Sequence, residues 1–233
     1  MKKKGKKVVG IGCVFGVLFA VWTALIQTVD VQPLGQNGTN IGFAAFNCWF
    51  HEFTGVSMTT YTITDWLGLV PLFVCMGFGF FGLIQLVSRR SLLKVDTDIF
   101  ILGGYYICVI AVYIIFEMIP INYRPILIGG AMEASYPSST TLLVLSVMPT
   151  LVEQFNRRVK NRMMNRAILV ITILFSGYMV IGRLLSGVHW FTDILGSVLL
   201  SVALFAFYKG FVLLCSKDAV RHKQDSGEAV ARS

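Results

Sequence analysis

Residues 182–196 read GRLLSGVHWFTDILG, and an almost unbroken apolar run follows to about residue 214. Arg183, His189 and Asp193 therefore stand at the mouth of a segment with the length and composition of a membrane-crossing helix. His189 and Asp193 are four apart, which puts them on one helical face. A carboxylate so placed can accept from the Nδ1–H of the imidazole and leave Nε2 unprotonated and nucleophilic. Arg183 adds a fixed positive charge with paired donors suited to phosphate. The same residues also fit an Arg183–Asp193 ion pair beside an interfacial histidine. The segment alone supports both readings equally.

Outward from this stretch, the chain has the composition of a membrane protein. Of its 233 residues, 55% are hydrophobic and 14% charged, with a mean hydropathy of +0.72. A soluble domain of this size has no interior large enough for that apolar surface. The predicted fold is all-α, a polytopic membrane domain over 1–216 with six spans at roughly 8–26, 66–87, 98–118, 138–154, 166–183 and 193–214. Pro149 interrupts the fourth, which is the weakest of the six. The N-terminus imitates a secretion signal, but its apolar run is too long and no small-x-small site follows, so it reads as a retained first helix. The segment 27–65 is a long extracytoplasmic loop, and 217–233 a polar cytoplasmic tail. In the loop, Phe43, Phe46, Trp49, Phe50 and Phe53 recur at near-helical spacing. That pattern fits an interfacial amphipathic helix or aromatic packing over helix ends. The five cysteines show no paired spacing, and neither a disulfide framework nor a metal site is expected.

The net charge of +8 is unevenly placed. Eighteen of the 20 lysines and arginines fall in 1–7, 88–97, 153–166 and 209–233. With six helices these segments share one side, which the positive-inside rule makes cytoplasmic, with both termini. Attraction to anionic lipid accounts for the charge, and no nucleic-acid partner is expected. The remaining two are Arg124 and Arg183, both near outer helix ends. An arginine at such depth implies a pairing partner or a site.

Arg124 lies in EMIPINYRPIL, 117–127. Between the two arginines, residues 135–141 read SYPSSTT at the start of the fourth span. A helix N-terminus presents free N–H groups and a positive dipole end, where anions bind readily, and Ser138 adds a hydroxyl. On its own that serine is equally a plain helix cap.

Together the three segments resemble the type 2 phosphatidic acid phosphatase superfamily of membrane phosphatases. Its motifs are Lys, six residues, Arg-Pro; Pro-Ser-Gly-His; and Ser-Arg, five residues, His, three residues, Asp. Arg124-Pro125 matches the end of the first motif, and Pro137-Ser138 the start of the second. Arg183, His189 and Asp193 match the third with its spacing intact. The resemblance implies two-step phosphoryl transfer without metal or cofactor. His189 would attack phosphorus and form a phosphohistidine, with Asp193 orienting it. Arg124, Arg183, Ser138, Ser139 and helix-end amides would hold the phosphoryl oxygens, and water would then hydrolyse the intermediate. The substrate would be a membrane lipid, met at the outer face of the cell membrane.

Three positions depart from the motifs. Glu117 stands where the lysine belongs, Ser139-Thr140 where Gly-His belongs, and Gly182 where the serine before Arg183 belongs. The motif histidine protonates the leaving group, and a threonine hydroxyl has no useful acidity for that task. General acid catalysis contributes about 10²–10⁴-fold, so its loss favours a leaving group that needs no proton. A lipid diphosphate, of which a polyprenyl diphosphate is the expected example, fits better than a monoester. Glu117 is read as a partner of Arg124, and Glu117 or Glu133 as a substitute acid. Two other functions stay open: a catalytically silent binder or carrier of lipid phosphates, and a lipid phosphotransferase.

Overall fold

The computed structural model describes residues 2–231, with 216–231 given by backbone only; the tail expected over 217–233 thus lies outside the residues described with side chains. Eight α-helices follow in order: α1 Lys2–Ile26, α2 Ala44–Thr54, α3 Met58–Leu67, α4 Leu69–Arg89, α5 Thr97–Met118, α6 Ser139–Arg158, α7 Arg162–Leu185 and α8 Phe191–Ala231. Among the described residues the only β pairing is three isolated bridges. The expected all-α class holds.

The expected count of six apolar spans does not hold in full. Five helical stretches are long and apolar enough to cross a membrane: Lys2–Ile26, Met58–Arg89, Thr97–Met118, Arg162–Leu185 and Phe191–Cys215. The chain is an integral membrane protein. The expected fourth span, 138–154, is present as α6 and runs through Pro149, but it is too polar to join the five. The reason is its position. α6 packs against α4, α5, α7 and α8, and Ser146, Thr150 and Gln154 are buried in the bundle, not turned to lipid. Side chains of neighbouring helices engage two of them. The Tyr106 hydroxyl pairs with Thr150 Oγ1 at 2.7 Å, and Gln154 Nε2 donates to Tyr208 Oη at 2.7 Å. A helix enclosed by protein needs polar partners more than apolarity.

α1 lies along α8, with glycines at the contact. A Cβ on Gly210 would fall 2.5 Å from Val9 Cγ2, and one on Gly5 2.9 Å from Leu214 Cδ2. Small residues let helix backbones approach this closely in a membrane.

The second span begins earlier than its sequence suggested. α3 takes residues that had been assigned to the loop 27–65 and passes into α4 at Gly68, whose N–H bonds the Thr64 and Asp65 carbonyls at 3.0 Å each. Pro71, in the first turn of α4, lacks an N–H for Leu67 and crowds its carbonyl, so the helix breaks there. α3 packs against α7.

Ion pairs gather at one end of the bundle. Arg89 meets Asp96 at 2.8 Å, Arg158 meets Asp98 at 3.0 Å, and Lys209 meets Glu153 at 3.2 Å. These tie α4, α5, α6 and α8 at the end where the basic segments collect. The connections 27–43, 119–138 and 186–190 meet at the other end.

Candidate active site

Arg124 is placed by a hairpin that the sequence reading missed. In NYRPILIGGAMEAS, 122–135, Gly129 and Gly130 have φ of 58° and 82°, the two positive values that a tight hairpin turn requires. The Arg124 N–H then donates to Glu133 O at 3.1 Å, and the Ser135 N–H to Asn122 O at 2.9 Å. Arg124 thereby lies opposite Glu133, and its Nη2 is 3.0 Å from Glu133 Oε2. The expected Arg124–Glu117 pair is not formed. Glu117 sits exposed on the last turn of α5, beside a small pocket it shares with Tyr136, Pro137 and Ser139. The Gly-Gly pair was the available signal for this hairpin.

Arg183 ends α7, where a cation complements the helix dipole. Its neighbour Gly182 is explained by α3, because a Cβ there would lie 2.7 Å from Thr64 Cγ2. The loop that follows is pinned from outside. Gly187 has φ of 68°, a Cβ on it would lie 2.2 Å from Gly55 O, and the Ser57 N–H donates to Ser186 O at 3.1 Å. His51 sits half-buried with Nε2 3.1 Å from Gly187 O and its ring 5.6 Å from that of Trp190.

This loop delivers His189 to a buried position, 3% exposed. Its Nε2 lies 3.4 Å from Arg183 Nη2. Its Nδ1 does not reach Asp193 directly, since the nearest carboxylate oxygen is 4.0 Å away. Ser135 stands between them. The Ser135 hydroxyl is 3.1 Å from His189 Nδ1 and donates to Asp193 Oδ2 at 2.5 Å. The Ser135 carbonyl is also 3.2 Å from Nδ1. A carbonyl only accepts, so Nδ1 carries the proton and Nε2 the lone pair. The direct His189–Asp193 bond expected from the i,i+4 spacing is thus a three-membered chain. The physical reason is that His189 precedes α8, whose first residue is Phe191, so helical spacing does not govern the pair.

Asp193 is fully buried and fully engaged. Besides Ser135 it accepts from Asn122 Nδ2 at 3.2 Å and from the Trp190 backbone N–H at 3.0 Å, the latter a reach back to the helix cap. Burial first, then the charges of Arg124 and Arg183, holds the His189 imidazole well below the ordinary histidine range. The ring is therefore neutral at physiological pH, as a nucleophile must be.

Both guanidinium groups face one aromatic ring. Arg183 Cζ is 5.0 Å and Arg124 Cζ 5.9 Å from the Tyr61 centroid. Nε and Nη1 of each arginine are buried without a hydrogen-bond partner among the described residues. Buried donors of this kind are costly, and a tetrahedral oxyanion is the shape that satisfies two converging guanidiniums. Of the expected phosphate ligands, Ser138 caps α6 but its hydroxyl is engaged with Thr141 Oγ1 at 3.1 Å. Ser139 and Thr140 instead line a lateral groove of about 430 Å³ with Asp65, Gly68, Leu72, Val109 and Leu143. Among the described residues no cluster of three His, Cys, Asp or Glu side chains is placed to hold a metal ion.

With this geometry in hand, comparison with known proteins gives a single kind of answer. No family profile and no curated protein sequence matches the chain. Among solved structures, it is similar to a transmembrane PAP2-type phosphatidylglycerolphosphate phosphatase from Bacillus subtilis. The two share 16% identity at a TM-score of 0.58, over 86% of this chain and 95% of that one. The chain has the fold of the PAP2-type membrane phosphatases, the class its motifs resemble.

Proposed function

We propose that this protein is a PAP2-type membrane lipid phosphatase that works through a phosphohistidine at His189. The observation that carries the reading is the buried chain Arg183–His189–Ser135–Asp193. A site that only binds phosphate needs its arginines, and has no need of a histidine held in one tautomer with its lone pair on their side. In the reaction, Nε2 of His189 attacks phosphorus while Arg124 and Arg183 neutralise the phosphoryl oxygens. Asp193, acting through Ser135, stabilises the positive ring as it forms. Water then attacks the phosphohistidine and releases inorganic phosphate.

Six spans, with α6 as the enclosed one, put the basic segments in the cytoplasm and the site at the outer face. A lipid headgroup reaches the site there, and the lateral groove between α4, α5 and α6 suits its chains. Thr140 in place of the motif histidine favours a diphosphate, with a polyprenyl diphosphate the leading example. The test is phosphate release by purified protein in detergent or vesicles against matched lipid monophosphates and diphosphates. Wild type should release phosphate, and His189→Ala should not. Lipid phosphate that binds in an Arg183-dependent way without hydrolysis would establish the silent binder instead. A labelled His189 without free phosphate would establish transfer to an acceptor.

A further inference from the structure

Loss of the motif histidine leaves the leaving oxygen without its usual proton source, and α3 brings a carboxyl group to that place. Asp65 Oδ1 is 3.6 Å from Arg183 Nη1, while His189 Nε2 is 3.4 Å from Arg183 Nη2. The two side chains therefore stand at the two ends of one guanidinium fork. A phosphoryl group held by that fork lies within reach of both side chains. In-line displacement requires the leaving oxygen to sit opposite the nucleophile. Asp65 also shares the lateral groove with Thr140, and its side chain is 57% exposed into that region, whereas that of Arg183 is 1% exposed. Thr140 lies close to the α3–α4 junction, where a Cβ on Gly68 would fall 3.2 Å from Thr140 Cγ2.

The departures at Gly182 and Thr140 both lie beside α3 or its junction with α4. Thr64 occupies the space beside Gly182, and the α3–α4 break occupies the space beside Thr140. The same helix turn that takes this room supplies Asp65.

Resting on the phosphatase reading above, we propose that Asp65 is the general acid of this site and gives its proton to the leaving lipid oxygen. In the first step the Nε2–P bond forms and the bond from that phosphorus to the leaving oxygen breaks, the ester oxygen of a monoester or the bridging oxygen of a diphosphate. The electron pair of that bond goes to the oxygen, which takes the Asp65 proton and leaves as the alcohol, or as the lipid monophosphate when the substrate is a diphosphate. In the second step water attacks phosphorus and gives a proton back to Asp65. The Nε2–P bond breaks and inorganic phosphate departs. The site then serves lipid phosphate monoesters as well as diphosphates.

The experiment compares phosphatidic acid with diacylglycerol diphosphate of the same acyl chains, on full-length wild type, Asp65→Asn, Asp65→Glu and His189→Ala. Wild type should release phosphate from both. Asp65→Asn should lower kcat on phosphatidic acid by about 10²-fold or more and on the diphosphate by less than about tenfold, with KM on both equal to wild type or lower. Asp65→Glu should recover part of the monoester rate, which a folding defect would not allow. An Asp65→Asn protein that turns over both substrates as fast as wild type, or faster, would show Asp65 to be only a counter-ion of Arg183 and overturn the proposal. So would an equal loss on both substrates. Those outcomes leave the phosphatase reading intact, because His189→Ala still separates it. Wild type that releases no phosphate from these two lipids or from a polyprenyl diphosphate would sink both.

Discussion

At the residue scale, the candidate site depends on a serine that no motif match singled out. Ser135 bridges His189 and Asp193, which are themselves 4.0 Å apart. If the three act as one unit, Ser135→Ala and Asp193→Asn should each lower kcat by about 10²-fold, or about 2.7 kcal/mol of barrier, with KM little changed. The double variant should be scarcely worse than either single one, because members of one catalytic unit are non-additive. Additive losses would mean that Ser135 only supports the fold. His189 gives a second expectation. Its pKa is depressed in the folded protein, chiefly by burial. The unfolded chain therefore takes up the proton first as pH falls. The stabilising contribution is complete above about pH 6.5, the ordinary histidine value, and is lost progressively below it. Between pH 7.5 and 5 the melting temperature of wild type should fall more than that of His189→Gln. Equal falls would show that the ring titrates as in water.

At the element scale, the site is held by connections that a single atom can disturb. Gly187 combines a φ of 68° with a neighbour, Gly55 O, that a Cβ would approach to 2.2 Å. Gly187→Ala should strain the backbone and push the α2–α3 connection off the His189 loop. A cost of about 1–3 kcal/mol is expected for such a conformation, together with a loss of activity larger than the drop in melting temperature alone explains. Gly182→Ser restores the motif residue, yet its Cβ meets Thr64 Cγ2 at 2.7 Å. In this protein it should therefore lower activity. Pairing it with Thr64→Ser, which removes that methyl, should recover activity. Failure of the pair to improve on Gly182→Ser would place the fault elsewhere than α3.

At the scale of the whole molecule, the bundle separates its charges from its site. The Arg89–Asp96, Arg158–Asp98 and Lys209–Glu153 pairs lie at one end, and Arg124, Arg183 and His189 gather at the other. In a background with the five native cysteines replaced, Asn40→Cys should react with an impermeant reagent on intact cells, and Lys94→Cys only after lysis. The reverse pattern would turn the molecule over and put the site in the cytoplasm.

By itself the sequence determined the membrane class, the all-α architecture and the charge asymmetry. Each follows from composition and period along the chain, which need no knowledge of contacts. It also picked out Arg124, Arg183, His189 and Asp193, because basic residues at outer helix ends and a nucleophile beside a carboxylate are visible in one dimension. Only the tertiary structure decided how they connect. The Gly129–Gly130 turn folds Arg124 onto Glu133 instead of Glu117, and Ser135 enters between His189 and Asp193 because the histidine lies in a loop and not on the helix. α3 lies beside the site, where Tyr61 faces both arginines and Asp65 lies 3.6 Å from Arg183. α6 can be polar because other helices surround it. These outcomes depend on which surfaces meet, Ser135 and His189 for instance across 54 residues of chain, and local periodicity carries no record of that.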